Sequence, residues 1–464
     1  MGPRLPASPG FLARPRGVLL TVSLITLLNI WISRLPKMCL HGDTSLSHPR
    51  TPLAPVAPQP AVDLSHADSP FIPWPLARAC SETTAWNPSI VFLCDNNSGG
   101  IGNIRNYILT CVRYAIEAGA GGLVMPTIST RSEKNLADLH GQPVRGFDYF
   151  FDEAHFRDGL LAACPQLALY DALEQVPRAP RRPEMLTPHD LGRRGGCDRR
   201  ELNKHTGVFG ARFHAWLNKT AAESDGRLAY PATRDRPRVV RFNWGVQWDW
   251  PVLRDGPEFV ATFGGLLRFR RDVLELGMRT VEYMREHAAR HGEGNKRFAG
   301  FHLRTESDAL SRWPNFEEQS GAYLERAGKR GMGFAAAYLA TGNATEARRF
   351  ADAAREKHGM AVTTKHELLR DYGAARGDLA RLEALTWDQQ ALVDFVVLLE
   401  CDYFLGVSPS SFSINVAGKR HLKEEGLYTR PWKIGGEGDG RSWLAGHYEH
   451  YWEDWLFMFE SLWP

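Results

Sequence analysis

Ser89-Ile90-Val91-Phe92-Leu93-Cys94-Asp95-Asn96-Asn97-Ser98-Gly99-Gly100-Ile101-Gly102-Asn103-Ile104 changes its pattern twice within one short stretch. Ser89 to Cys94 is an apolar, β-branched run bounded by Pro88 and Asp95-Asn96-Asn97, which reads as a buried strand. Ile104 to Ala118 then carries Ile104, Tyr107, Ile108, Cys111, Val112, Ala115 and Ile116 at helical spacing. Gly119 to Gly122 ends that helix, and Leu123-Val124-Met125-Pro126 reads as the next strand. Strand, glycine loop, helix and strand predict the opening βαβ unit of a parallel α/β sheet.

The same alternation returns after Arg297. Phe298 to Arg304 reads as a strand running into the polar loop Thr305-Glu306-Ser307-Asp308. Phe334 to Ala340 reads as a strand, Ala344 to His358 as a helix, and Met360 to Thr364 as a strand. Trp387 to Glu400 is a helix with Leu392, Phe395, Val396 and Leu399 on one face. Tyr403 to Gly406 is a strand, followed by Ser408-Pro409-Ser410-Ser411-Phe412-Ser413 and a helix through Ala417. Between the two sets, Arg238 to Phe242 reads as a strand, and Phe259 to His291 as a long amphipathic helix interrupted by Gly264-Gly265. Asp152 to Arg238, with long polar and Pro/Gly stretches, yields little. A chain of 464 residues suits two medium domains with appendages. The expected architecture is α/β, with two lobes facing a central cleft and ligands bound at the carboxyl ends of strands. The N-terminal lobe is placed at residues 81–290 and the C-terminal lobe at 291–430, with a tryptophan-rich tail at 431–464 packing back on the body as helix.

Residues 18–33 form an apolar run preceded by Arg4, Arg14 and Arg16 and followed by Arg34 and Lys37, with Trp31 near its far end. At about 15 residues it is shorter than the roughly 20 of a full span, and a cleaved signal peptide competes. No small-x-small cleavage site follows it, so an uncleaved anchor is expected, with residues 1–17 as a cytosolic tail. Residues 34–80, rich in Pro, Ser, Ala and His, are expected as an extended stem. Anchor, stem and body predict a single-pass type II protein of the Golgi or endoplasmic reticulum membrane with its body in the lumen. Sequons at Asn96, Asn218 and Asn343 are compatible with that compartment. The seven cysteines contain no C-x-x-C, which argues against structural zinc, and some of the six beyond Cys39 are expected to pair. The 56 Lys and Arg are nearly matched by 53 Asp and Glu, giving a net charge of +3. The basic pairs Arg181-Arg182, Arg193-Arg194 and Arg199-Arg200 lie in a Pro/Gly-rich stretch, so no nucleic-acid partner is expected.

Three groups carry chemistry. In Gly99-Gly100-Ile101-Gly102-Asn103 the glycines either let a ligand approach the backbone, beside the N–H groups of a helix start, or serve a tight turn. His302 and Arg304, at i and i+2, point to the same side of a strand. A forked guanidinium suits a diphosphate, whereas Glu306 or Asp308 offers it a structural salt bridge instead. Asp394 sits in an otherwise apolar helix and needs donors, while Ser410-Ser411-Phe412-Ser413 offers either a phosphate cradle or an ordinary helix cap.

The glycine loop with Asn103, then Gly300-Phe301-His302-Leu303-Arg304, then Asp394, the Asp-x-Phe-x-Gly run at Asp402 and Ser410-Ser411-Phe412, resemble the GDP-fucose protein O-fucosyltransferase family in order and spacing. The resemblance spans about residues 89–421, most specifically in the last motif. It implies a GT-B-like fold of two Rossmann-like lobes and GDP-fucose as donor substrate. It also implies inversion at the anomeric carbon, with no metal or further cofactor. By that resemblance His302 and Arg304 hold the phosphates, and Arg304 neutralises the leaving diphosphate. Asp394 reads guanine, and Ser410, Ser411 and Phe412 contact phosphates and nucleoside. Asn103 lies beside the fucose and the acceptor, and Gly100 and Gly102 border the donor. The chain departs from the family at Gly100, where arginine is common, and at Ile104, where glutamine is common; Arg105 is the nearest candidate for the missing charge. Asp95, Glu306 and Asp308 all stand as candidate bases. The acceptor is a protein or glycan hydroxyl. A related transferase with another sugar nucleotide, and a non-catalytic lumenal glycan-binding or folding module, stay open as alternatives.

Overall fold

The computed structural model of the chain describes residues 62–136, 138, 142–187, 206–228, 231–329, 333–423, 438–451 and 453–464. The expected cytosolic tail and anchor, the stem as far as residue 61, Cys39, Cys197, Arg193-Arg194, Arg199-Arg200, Trp432 and Trp452 lie outside the described residues. Among the described residues no helix is long and apolar enough to cross a membrane.

Two five-stranded parallel sheets organise the body. The first contains β1 (Asn87–Leu93), β2 (Ala120–Val124), β5 (Ala168–Tyr170), β6 (Glu184–Leu186) and β7 (Arg238–Phe242) in the order β5-β2-β1-β7-β6. A hairpin of β3 (Ile128–Ser129) and β4 (Val144–Arg145) stands apart from it. Parallel strands are covered on both faces, which is why β1 reads as a continuous apolar run. Ile90 and Phe92 enter the main core on one face, while Val91 and Leu93 pack with Val124 and Val239 on the other. The second sheet holds β8 (Ala299–His302), β9 (Ala336–Ala340), β10 (Ala361–Thr363), β11 (Tyr403–Val407) and β12 (Ser442–Ala445) in the order β10-β9-β8-β11-β12.

Four helices matter for the site: α1 (Ile101–Glu117), α2 (Arg271–His291), α3 (Trp387–Glu400) and α4 (Ser411–His421). The bridging helix expected over Phe259 to His291 is broken where Gly264-Gly265 falls. A helix over Pro257–Phe263 and a 3-10 turn over Gly264–Leu266 precede α2, which packs along α3.

Two expectations about the ends change. Residues 62–80 belong to the body rather than the stem. The helix Trp74–Glu82 buries Pro75, Leu76 and Cys80, and Cys80 is disulfide-bonded to Cys164. Composition misled here because Pro75 stands in a helix's first turn, where its missing N–H is no loss. Ahead of it Asp63 pairs with Lys423 at 2.9 Å and His66 with Glu400 at 2.9 Å. The tail does pack back, but partly as strand. β12 extends the second sheet beyond residue 430, and a short helix, Met458–Ser461, leads to Trp463, buried against Phe259 and Phe263.

A second disulfide, Cys94–Cys111, joins the end of β1 to the middle of α1 and so closes the glycine loop between them. Replacing both cysteines by alanine is expected to cost about 3 kcal/mol of stability, the loop-closure entropy of a ring this size, measured by chemical denaturation. Cys401 is buried and unpaired in a disulfide.

Candidate active site

The carboxyl ends of β1, β8, β9 and β11 open onto one cleft of about 740 Å³. Gly100, Gly102, Asn103, His302, Arg304, Asp394, Ser410, Ser411 and Phe412 all line it. They are drawn from residues some three hundred positions apart, and the fold brings them together.

The loop glycines do two different jobs. Gly99 takes φ +90°, the left-handed region, and a Cβ there would stand 2.6 Å from the Asn103 side-chain nitrogen. Gly102 is needed for close approach: a Cβ would lie 2.6 Å from the Ser411 carbonyl carbon and 2.7 Å from Phe412 N. The first turns of α1 and α4 therefore touch backbone to backbone. Gly100 is the N-cap of α1, and Ser410 caps α4 by accepting the Ser413 N–H. First-turn N–H groups have no intrahelical acceptor, and the positive ends of two helix dipoles add at this point. An anion is favoured there.

His302 ends β8 and is buried, its Nδ1 hydrogen-bonded to Ser413 Oγ at 2.7 Å and its ring 4.4 Å from that of Phe412. Ser413 Oγ also accepts the Val407 N–H at 3.1 Å. Burial pushes His302 down to about 4, so the ring is neutral near pH 7 and brings packing and hydrogen bonding rather than charge.

Arg304 is held by both neighbouring carboxylates. Its Nη1 donates to Glu306 Oε2 at 2.6 Å, and its Nη2 to the two oxygens of Asp308 at 2.8 and 2.7 Å. Arg131, in the loop after β3, pairs with the same Asp308, and its backbone N–H donates to Asp388 at 3.2 Å. The salt bridge weighed for Arg304 from sequence is therefore formed, as part of a charge-balanced ladder Arg131–Asp308–Arg304–Glu306 that lines the cleft. Burial works to raise the Glu306 carboxyl, but the Arg304 guanidinium and the Gly342 N–H outweigh it and hold Glu306 below the usual range.

Asp394, in α3, accepts the Tyr338 hydroxyl at 2.6 Å and the Lys365 ammonium at 2.7 Å. Its donors are thus supplied from within the protein. Lys365 lines the cleft beside it, so the pair presents one acceptor and one donor side by side.

Three residues considered from sequence lie elsewhere. Arg105 does not replace a charge at Gly100; its guanidinium donates to Asn415 Oδ1 at 2.9 Å and to the carbonyls of Trp463 and Pro464 at 2.8 and 2.6 Å, clamping the C-terminal residues. Asp95 is engaged by both Nε and Nη2 of Arg241, at 2.7 and 2.9 Å, so of the three candidate bases Glu306 and Asp308 are the ones that line the cleft. Asp402 serves the fold, accepting the Phe298 N–H at 3.0 Å. Arg131 and Lys365 went unnoticed in the sequence. Arg131 lies in the polar run Ser129-Thr130-Arg131-Ser132, and Lys365 follows a strand of three residues, so neither sits in a readable period.

Two parallel-sheet lobes gather an arginine and two helix starts at their shared cleft, a site built to hold an anionic ligand. The chain belongs to the GDP-fucose protein O-fucosyltransferase family, whose model matches residues 90–423, and it is a glycosyltransferase of that type. Among solved structures it is similar to POFUT1 in complex with GDP-fucose, at 14% identity and a TM-score of 0.43, covering 78% of this chain and 100% of that one. It is similar to the fucosyltransferase NodZ from Bradyrhizobium at 14% identity and a TM-score of 0.37, covering 71% of this chain and 90% of that one. It is also similar to a variant of Arabidopsis thaliana FUT1 in complex with GDP, at 12% identity and a TM-score of 0.36, covering 74% of this chain and 71% of that one. Comparison with curated proteins finds no match.

Proposed function

We propose that the chain transfers fucose from GDP-fucose, with inversion at C1, to a hydroxyl of a protein or glycan acceptor. The observation that carries this reading is that a single cleft gathers the Asp394–Lys365 pair, the paired helix starts and Arg304. Guanine offers N1–H and N2–H to a carboxylate and O6 to an ammonium, which is the complement of Asp394 beside Lys365. The diphosphate then meets N–H groups and a guanidinium, where charge builds as GDP leaves. His302 holds the first turn of α4 in place through Ser413 and the Phe412 ring. Asn103, at the start of α1, borders the sugar and acceptor space.

The body acts in the lumen of the Golgi or endoplasmic reticulum, tethered by residues 18–33. Two disulfides support an oxidising compartment. The reading is tested by offering GDP-fucose, other GDP-sugars, UDP-sugars and rhamnosyl nucleotides, and measuring nucleotide release. Release confined to GDP-fucose is expected. Preference for another donor overturns the assignment of fucose, and binding without consumption of any donor leaves a glycan-binding module.

A further inference from the structure

An acceptor hydroxyl that attacks C1 must lose its proton. Both carboxylates that line the cleft near Arg304 are neutralised by arginines, which makes them poor bases as they stand. We propose that Glu306 is the general base, kept out of action by Arg304 until the donor diphosphate takes that arginine away. This rests on the GDP-fucose reading.

The ladder contains two guanidiniums and two carboxylates, so a diphosphate that takes Arg304 by its terminal nitrogens displaces carboxylate oxygens from them. The two carboxylates respond differently to that exchange. Asp308 is bound by Arg304 and also by Arg131 from the other lobe, so it stays ion-paired when Arg304 turns to phosphate. Glu306 has Arg304 on Oε2 at 2.6 Å and the Gly342 N–H on Oε1 at 2.8 Å. Losing Arg304 frees Oε2 while Gly342 keeps the carboxylate oriented. The charged and titratable groups facing Glu306 are Arg304 and Asp308 on its own loop, the neutral His302 of β8, and Arg131 across the cleft. Arg304 is the cation in direct contact with it. Its transfer to the diphosphate therefore raises the proton affinity of Glu306 at the moment the leaving group is bound.

The step balances. The acceptor O–H proton passes to Glu306 Oε2 as the O–C1 bond forms. The C1–O bond to GDP breaks, its electron pair staying on the diphosphate beside Arg304, and Glu306 later returns the proton to water.

The test uses the full-length protein in detergent and needs no knowledge of the acceptor. GDP-fucose is offered water, which must be deprotonated, or azide, an anion that needs no base. Glu306→Gln is expected to lower water-dependent GDP release by ~10²-fold, the usual contribution of a base. Fucosyl azide formation is expected to persist, and GDP affinity, read by calorimetry, to stay equal or increase because a competing anion is gone. Glu306→Asp is expected to restore part of the water reaction. Wild-type hydrolysis in Glu306→Gln overturns the proposal, as does loss of both reactions together with GDP binding, which marks a structural role. A wild-type protein that binds no GDP overturns the reading beneath it instead.

Discussion

Arg304→Ala is expected to slow fucosyl transfer by ~10²–10³-fold, the usual effect of removing one preorganised donor from a site where negative charge develops. The guanidinium is largely buried between Glu306 and Asp308 and over the Trp313 ring, 5.6 Å from its centroid, so it already stands at the cleft when the donor arrives and has only to exchange its carboxylates for phosphate. Its removal also leaves Glu306 and Asp308 facing the incoming diphosphate with a single arginine, Arg131, and GDP affinity is expected to fall with the rate. Arg304→Lys keeps the charge but loses the fork, and partial activity is expected. Single-turnover consumption of GDP-fucose checks this. Turnover of Arg304→Ala near that of the wild type would remove Arg304 from the chemistry.

Asp394→Ala acts first on stability. It leaves the Lys365 ammonium, which is itself buried, without its carboxylate, and breaking such a pair costs about 3–5 kcal/mol. The Tyr338 hydroxyl loses its acceptor as well. Asp394→Asn keeps the shape and an oxygen acceptor for the Lys365 ammonium but loses the charge, so a smaller loss of stability accompanies its effect on recognition. It presents an amide where guanine needs an acceptor for both N–H groups, so discrimination between GDP and ADP is expected to collapse while the fold holds. Thermal melting separates the first effect and competitive nucleotide binding the second. An unchanged preference for GDP in Asp394→Asn would place guanine elsewhere.

The fold was legible wherever local periodicity and burial agree. β7 and the helices Ala344–His358 and Trp387–Glu400 fall where the pattern places them, and β1, β8, β9 and β11 fall within a few residues of it. Each is a buried parallel strand or a helix with one apolar face, which leaves a strong local pattern. The helix Thr206–Leu228, the short strands β5 and β6 and the extension of the body back to residue 62 were not legible. Strands of three residues carry no period, and proline at a helix start reads the same as proline in a linker.

The site was legible in its members but not in their partners. The sequence shows Arg304 and Asp394 as costly charges in apolar surroundings. It does not show that Arg131 comes from the other lobe to share Asp308, or that Lys365 lies against Asp394. Such pairs are separated by 177 and 29 positions; the first forms only where the two lobes meet, and the second only where the chain folds back within the second lobe. The reason for Gly102 was equally hidden. Its negative backbone angle needs no glycine, and the constraint comes from Ser411 of a helix that follows three hundred residues later.

The central claim is that this cleft is a guanine-selective diphosphate site. Calorimetric titration of the protein with GDP, beside UDP and ADP, tests it most directly. The account predicts binding of GDP in preference to both, weakened in Arg304→Ala and made unselective in Asp394→Asn. Equal binding of the three nucleotides, or binding of none, would contradict it.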